Sequence, residues 1–281
     1  MSYYLEAEEG IPVFELGLSE GGDDGSDFRT LNDPAAPLQR HNITERKGAI
    51  DIRCMSADVV HGYMKAGEDP ATLIVYEFQF DTRKKARRIA TVDIAFTFGS
   101  HGGKEPEVVR VSPQGRSTLV PTTQTETITS GGSANAGANV FGADLGGDLM
   151  WEKAISRETN DATTIVGSVD LVGRNFGASN AASWTLMENK TVKTGVPAHL
   201  RTAILLSRQN EDEFFSTFKI IAEVDLVSRF TQLFGSTPKD DPILYDPALS
   251  PTNKLRNYDV ANLGSIDLWE LTIVSFTNGG S

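Results

Sequence analysis

From Thr72 to Asp81 the apolar residues fall on even positions, Ile74, Tyr76, Phe78 and Phe80, while Glu77, Gln79 and Asp81 hold the odd ones. The return segment from Ala86 to Phe98 repeats the rhythm, with Ala90, Val92, Ile94, Phe96 and Phe98 set against Thr91, Asp93 and Thr97. Side chains alternate faces along a β-strand, so each segment is predicted to be a strand with one buried and one wet face. Between them lies Arg83-Lys-Lys-Ala-Arg-Arg88, five cations in six residues. The three pieces together predict an antiparallel hairpin with a positive tip.

Further strands follow the same logic. Ala49 to Cys54 and Val108 to Ser112 are short candidates, and residues 163–173 put Ile165, Val169 and Leu171 on one parity. Leu200 to Ser207 is nearly continuous apolar sequence, the mark of a central strand covered on both sides. In residues 214–229, Phe218, Ile220, Ala222, Val224 and Leu226 oppose Lys219, Glu223, Asp225 and Arg229; Val227, Phe230 and Phe234 also suit a helical face stopped by Gly235. A proline-rich connection spans 237–262, and residues 266–276 are predicted as the last strand. Many strands at short spacing predict an all-β fold, an antiparallel β-sandwich or a partly closed barrel, over residues 46–281.

Residues 1–45 differ. An apolar patch (Ile11, Val13, Phe14, Leu16, Leu18) precedes Glu20-Gly-Gly-Asp-Asp-Gly-Ser-Asp27 and Asn32-Asp-Pro-Ala-Ala-Pro37. Glycine, proline and acids at this density oppose regular structure. The expectation is an extended N-terminal arm, either disordered or held by Phe14, Leu16 and Leu18 to its own body or to a second copy.

The formal net charge of −12 argues against nucleic acid and against an anionic membrane as partners. It leaves the basic run (Arg83, Lys84, Lys85, Arg87, Arg88) as the local exception, a candidate surface for an acidic partner or the acidic arm of another copy. One cysteine, Cys54, excludes an intrachain disulfide. The first residues show neither a basic start nor an apolar stretch, so a cytoplasmic location is expected, with the sequons at Asn42 and Asn189 unused.

The glycine-rich centre, Ser130 to Gly147, is followed by Asp148, Leu149 and Trp151. Phe141, Ala143, Leu145, Leu149 and Trp151 share a parity, which suggests a strand whose glycines permit sharp bending. Residues 130–151 also raise a membrane-inserting hairpin. Against it, the preceding Pro121-Thr-Thr-Gln-Thr-Glu-Thr-Ile-Thr-Ser130 offers one parity that is all threonine and another holding Gln124 and Glu126, a weak lipid face.

Catalytic spellings fail on context. Gly17-Leu-Ser-Glu-Gly21 matches a nucleophile elbow but is followed by Gly-Gly-Asp-Asp-Gly, which will not form the required helix. His101-Gly-Gly103 lies after that serine, the reverse of the hydrolase order. His41, His61, His101 and His199 stand apart, and there is no cysteine pair, so neither a metal site nor a cofactor site nor a catalytic residue is assigned.

Between Asp161 and Asp225 the chain runs Val166-Gly-Ser168, Ala182-Ser-Trp-Thr-Leu-Met-Glu-Asn189, Thr194-Gly-Val-Pro197, Leu200-Arg-Thr-Ala-Ile-Leu-Leu206 and Phe218. With Ser236-Thr-Pro-Lys-Asp-Asp-Pro242, this resembles uncharacterised proteins of filamentous ascomycete fungi. The resemblance covers roughly the C-terminal half and implies no activity. The leading expectation is a non-enzymatic protein that binds itself or another protein. The alternatives are a small-molecule enzyme of cyclase or isomerase type with its pocket inside a barrel, and a membrane-active β protein.

Overall fold

The computed structural model describes residues 30–46, 50–82, 88–133, 150–224 and 240–276. Among these described residues, twelve strands form two antiparallel sheets. They are β1 (Asn42–Arg46), β2 (Ile50–Tyr63), β3 (Pro70–Thr82), β4 (Ile89–Gly99), β5 (Glu107–Ser112), β6 (Gly115–Ser133), β7 (Met150–Asp170), β8 (Ala181–Met187), β9 (His199–Ser207), β10 (Phe214–Val224), β11 (Ile243–Tyr245) and β12 (Ile273–Ser275). One sheet runs β1-β2-β3-β9-β12, with β5 sharing the outer edge of β9; the other runs β11-β10-β4-β8-β7-β6. Neither closes into a barrel, so the molecule is a β-sandwich.

The alternating residues lie where the periodicity put them. Ile74, Tyr76, Phe78 and Phe80 meet Val92, Ile94, Phe96, Phe98, Trp184 and Phe218 in the inter-sheet core. The Tyr76 and Phe96 rings stack at 4.2 Å, and Phe96 lies 4.9 Å from Phe218. Aromatic packing fills the space in which a barrel enzyme would keep its pocket. The Tyr76 hydroxyl is 2.5 Å from that of Tyr245, which also meets Ser216 Oγ at 3.0 Å. Burial pushes both phenols up, Tyr245 to about 12, so both stay neutral donors in the core.

The expected hairpin is not one. β3 pairs with β2 and β9, whereas β4 pairs with β10 and β8, so the chain crosses from one sheet to the other between them. In a hairpin the two apolar parities would lie side by side. Here they face each other across the core, and the sequence pattern of the two arrangements is the same.

β9 is central and buried on both faces, as its apolar run predicts. Ile204 and Leu206 enter the inter-sheet core, and Ala203 and Leu205 face a second cluster. That cluster also takes Leu73 and Val75 of β3, so the first half of β3 has no wet face. Its cover is the C-terminal segment, through Leu255, Tyr258, Leu263, Leu268 and Leu271. Here the strand predicted over residues 266–276 is instead a short 3-10 turn (Leu268–Leu271), preceded by another (Leu263–Ser265), and the three-residue β12. Asp58 fastens this cap. Fully buried at a register shift between β2 and β3, it accepts from Thr252 Oγ1 (2.6 Å), Lys254 N (2.7 Å), Leu255 N (3.1 Å) and Tyr258 Oη (2.9 Å).

The part of the arm that is described lies on its own body. Thr30 N donates to Asp240 Oδ1, Asn32 N to Asp241 Oδ2 and Gln39 N to Leu244 O, and Leu38 bridges Leu244 in parallel. Residues 30–39 therefore cover β11, the edge strand of the second sheet.

Candidate functional site

The feature that stands out from the sandwich is built by β6 and β7. They first pair inside the sheet, from Gly115 opposite Gly167 to Leu119 opposite Thr163. Gly167 is required there, because a Cβ at this position would lie 1.9 Å from Pro113 O, the carbonyl that accepts from Trp184 Nε1 at 3.0 Å. The register then shifts between Leu119 and Thr122. Pro121 sits inside the shift, and a residue without an N–H cannot continue a ladder, so the irregularity has a local cause.

Beyond the shift the pairing resumes from Thr122 opposite Asp161 to Ser133 opposite Met150, twelve further pairs in unbroken register. The neighbouring β8 covers β7 only from Thr164 to Asp170. On the other side β6 ends its sheet. Among the described residues, those twelve pairs therefore form a two-stranded ribbon with both edges unpaired. At about 3.3 Å per residue the ribbon is roughly 40 Å long.

Its base is latched by the loop after β8. Asn189, fully buried, donates from Nδ2 to Asp161 O at 3.1 Å, while its Oδ1 accepts Thr191 N (2.9 Å) and Val192 N (3.2 Å). Thr191 Oγ1 donates to Asp161 Oδ2 at 2.7 Å. These bonds fix the direction in which β7 enters the ribbon, and they consume the amide of the Asn189 sequon.

Arg88 lies at this same end. Its Nε meets Glu188 Oε2 at 2.8 Å, and that oxygen also accepts Gly195 N at 3.2 Å. The last residue of the basic run is thus engaged in holding the loop. The other residues assigned to a partner surface, Arg83, Lys84, Lys85 and Arg87 with Phe14, Leu16 and Leu18, lie outside the described residues, as does the strand read through Phe141, Ala143, Leu145 and Leu149. In the structure Trp151 pairs with Gly132, and β7 continues through residues 152–162, which carry no apolar alternation. Pro121 within a threonine-rich run was the available signal for the point of departure.

The histidines remain apart. His101 packs against Phe215 with ring centroids 4.7 Å apart, and His61 lies beneath a cavity at the opposite end of the sandwich. Among the described residues no three His, Cys, Asp or Glu side chains converge as metal ligands.

No family model matches the chain, and no curated protein matches it. Among solved structures it is similar to one titled a pore forming protein, at 7% identity over 65% of this chain and 87% of the other, with a TM-score of 0.30. The delta-toxin of Clostridium perfringens follows at 10% identity, 73% and 92% coverage and a TM-score of 0.27. The Clostridium perfringens NetB toxin in its membrane-inserted form stands at 8%, 65% and 76%, and 0.23. Likeness this slight carries no argument about function.

Proposed function

We propose that this protein is a self-assembling, membrane-active β protein, and that the β6–β7 ribbon is the element that assembles and inserts. The observation that supports it is the ribbon's geometry. A free β6 edge on one copy and a free β7 edge on the next make a head-to-tail contact, and repetition around a ring gives a closed barrel with two strands per copy. Twelve residues per strand exceed the 9–11 needed for a tilted strand to cross the hydrocarbon core.

The sequence of the ribbon assigns its faces. Thr123, Thr125, Thr127, Thr129, Gly131 and Ser133 share a parity and pair with Asn160, Glu158, Ser156, Ala154, Glu152 and Met150. The other parity holds Glu126, Lys153, Arg157 and Asp161, four of the six charges in the twelve ribbon pairs. In a barrel the more charged parity lines the water-filled lumen, and the threonine parity meets lipid, burdened by Glu152 and Glu158. The net charge of −12 disfavours anionic lipid but opposes no zwitterionic surface.

The test is release of a self-quenching dye from phosphatidylcholine vesicles, with the assembled state read by light scattering in detergent. A variant with residues 123–160 replaced by an Asn-Gly turn is expected to keep the sandwich by circular dichroism and to lose both assembly and release. Equal release by this variant sinks the proposal. Wild-type protein that assembles yet releases nothing removes the membrane step and leaves assembly through the ribbon.

A further inference from the structure

The end of the sandwich from which the ribbon leaves is the basic end of an acidic molecule. Three short connections meet there: residues 47–49 between β1 and β2, 83–88 between β3 and β4, and 188–198 between β8 and β9. Ile50 lies opposite Thr82, Val196 N donates to Ile89 O at 2.9 Å, and Asn189 reaches Asp161 at the root of the ribbon. Together these connections hold eight cations and one acid, Glu188, whose charge Arg88 already matches. Lys47, Arg83, Lys84, Lys85 and Arg87 lie outside the described residues, but the strand ends that flank them do not. Connections this short keep their backbone within about 10 Å of those ends. At the far end the exposed charges are mostly acidic, among them Glu68, Asp69, Glu211, Asp212 and Glu213.

The described part of the basic end is built to display its charge. Asn189 Oδ1 accepts Thr191 N and Val192 N, and Asn189 O accepts Lys193 N at 2.8 Å, so one buried residue closes the turn. The turn holds out Lys190, Val192 and Lys193, and neither lysine has an ionic partner among the described residues. Val192 is 42% exposed; Phe276, 36% exposed, rims a cleft of about 140 Å³ shared with Thr82, Arg88 and Thr194. Apolar side chains set among lysines suit a surface that rests in a head-group layer, with the ammonium groups held at the lipid phosphates.

We propose that this end docks on an anionic phospholipid surface, with Lys190 and Lys193 among the residues that meet the head groups. The inference rests on the ribbon reading, because a ribbon whose twelve pairs cross the hydrocarbon core leaves its root, Thr122 and Asp161, at the head groups. The overall charge of −12 does not oppose it. β3 alone runs about 40 Å from one end to the other, several screening lengths of about 8 Å, so the far acids are not felt at the contact.

The test is co-sedimentation of the full chain with vesicles of phosphatidylcholine, and of phosphatidylcholine and phosphatidylserine in equal parts, with dye release read separately. The mixed vesicles should bind more tightly, and high salt should remove the difference. Lys190→Gln and Lys193→Gln should each weaken binding to them about fivefold, and the double variant about twenty-fivefold. Lys104→Gln, the same loss of charge in an exposed loop at the far end, should change nothing. The variant with residues 123–160 replaced by an Asn-Gly turn should still prefer the mixed vesicles while releasing no dye, which separates docking from insertion. Equal binding to both vesicles overturns the proposal, as does a double lysine variant that binds like the wild type or a Lys104→Gln variant that is weakened as much. Equal release from both vesicles at limiting protein overturns it too and leaves the ribbon reading intact. Binding of a DNA duplex as tight as that of the mixed vesicles makes the face a general polyanion surface, which also overturns it.

Discussion

Replacing Asp58 by asparagine should release the C-terminal cap. The carboxylate divides its four donors evenly: Thr252 Oγ1 and Lys254 N on Oδ1, Leu255 N and Tyr258 Oη on Oδ2. An amide puts an NH2 where one oxygen was; the hydroxyl on that side can turn and accept from it, but the backbone N–H there, of Lys254 or Leu255, faces a donor whichever way the amide turns. A hydrogen bond to a buried charged acceptor is worth roughly 1.5–3 kcal/mol, so the one lost outright, with the others weakened by the loss of charge, gives about 3 kcal/mol, allowing for partial relaxation. Tyr258 cannot rescue the pair by ionising, because burial and its bond to Asp58 hold the phenol well above its ordinary range. The loss should appear as a lower urea midpoint, and limited proteolysis should open the chain within residues 249–262. The underlying cluster of Leu73, Val75, Leu205, Leu263 and Leu271 would then bind a hydrophobic dye. A change below about 1 kcal/mol with an unaltered proteolytic pattern would refute the reasoning.

Burial lowers the His61 pKa to about 4, with Arg208 adding to the shift and Asp246 opposing it. The unfolded chain takes up its proton near 6.5, so the contribution is full above that value and is lost as pH falls to 4, a difference of roughly 3 kcal/mol. Denaturation of wild type and His61→Gln across pH 7 to 4 should show the wild type falling more steeply, and parallel curves would count against it. Gly167→Ala forces a methyl group to 1.9 Å from Pro113 O and should cost at least about 3 kcal/mol in a urea melt, with Trp184 fluorescence altered. If the threonine parity of the ribbon meets lipid, the Glu152→Gln, Glu158→Gln double variant should release dye faster than wild type. Lys153→Gln should change ion selectivity instead, and the reverse assignment of effects would invert the two faces.

Parity was the most legible property of this chain. Tyr76 and Phe96 were readable as buried because alternation reports which face a side chain takes. It does not report which strand lies alongside, and β3 and β4 consequently read as a hairpin although they belong to opposite sheets. The C-terminal cap was illegible for a related reason. Leu268 and Leu271 are spaced for a 3-10 turn, and the surface they cover belongs to residues nearly 200 positions earlier. The ribbon was hidden most deeply. Residues 152–162 display no apolar period and look in the sequence like a solvated connection. Arg208 and His61 gave no motif, since their cavity is made by the ends of strands distant in sequence.

The treatment of the other sheet edges gives the ribbon its weight. β11 is covered by residues 30–39, β1 has five residues and an Arg53–Glu45 ion pair at 3.1 Å, and β12 has three residues. Short or covered edges are how a β protein avoids pairing with its neighbours. β6, nineteen residues long, has neither protection among the described residues. A two-stranded ribbon is also marginal by itself, so its stability is expected to come from pairing with other copies. Proline scanning can read this directly. Successive N–H groups along a strand point to opposite sides, so of Thr125 and Glu126 one donates toward β7 and the other toward the free edge. Thr125→Pro and Glu126→Pro, made separately, should therefore differ. The edge-facing substitution should leave the monomer's melting behaviour unchanged and abolish assembly, whereas the other should loosen the ribbon itself, seen as faster amide exchange in residues 122–133. If both variants assemble like the wild type, the β6 edge is not the contact between copies.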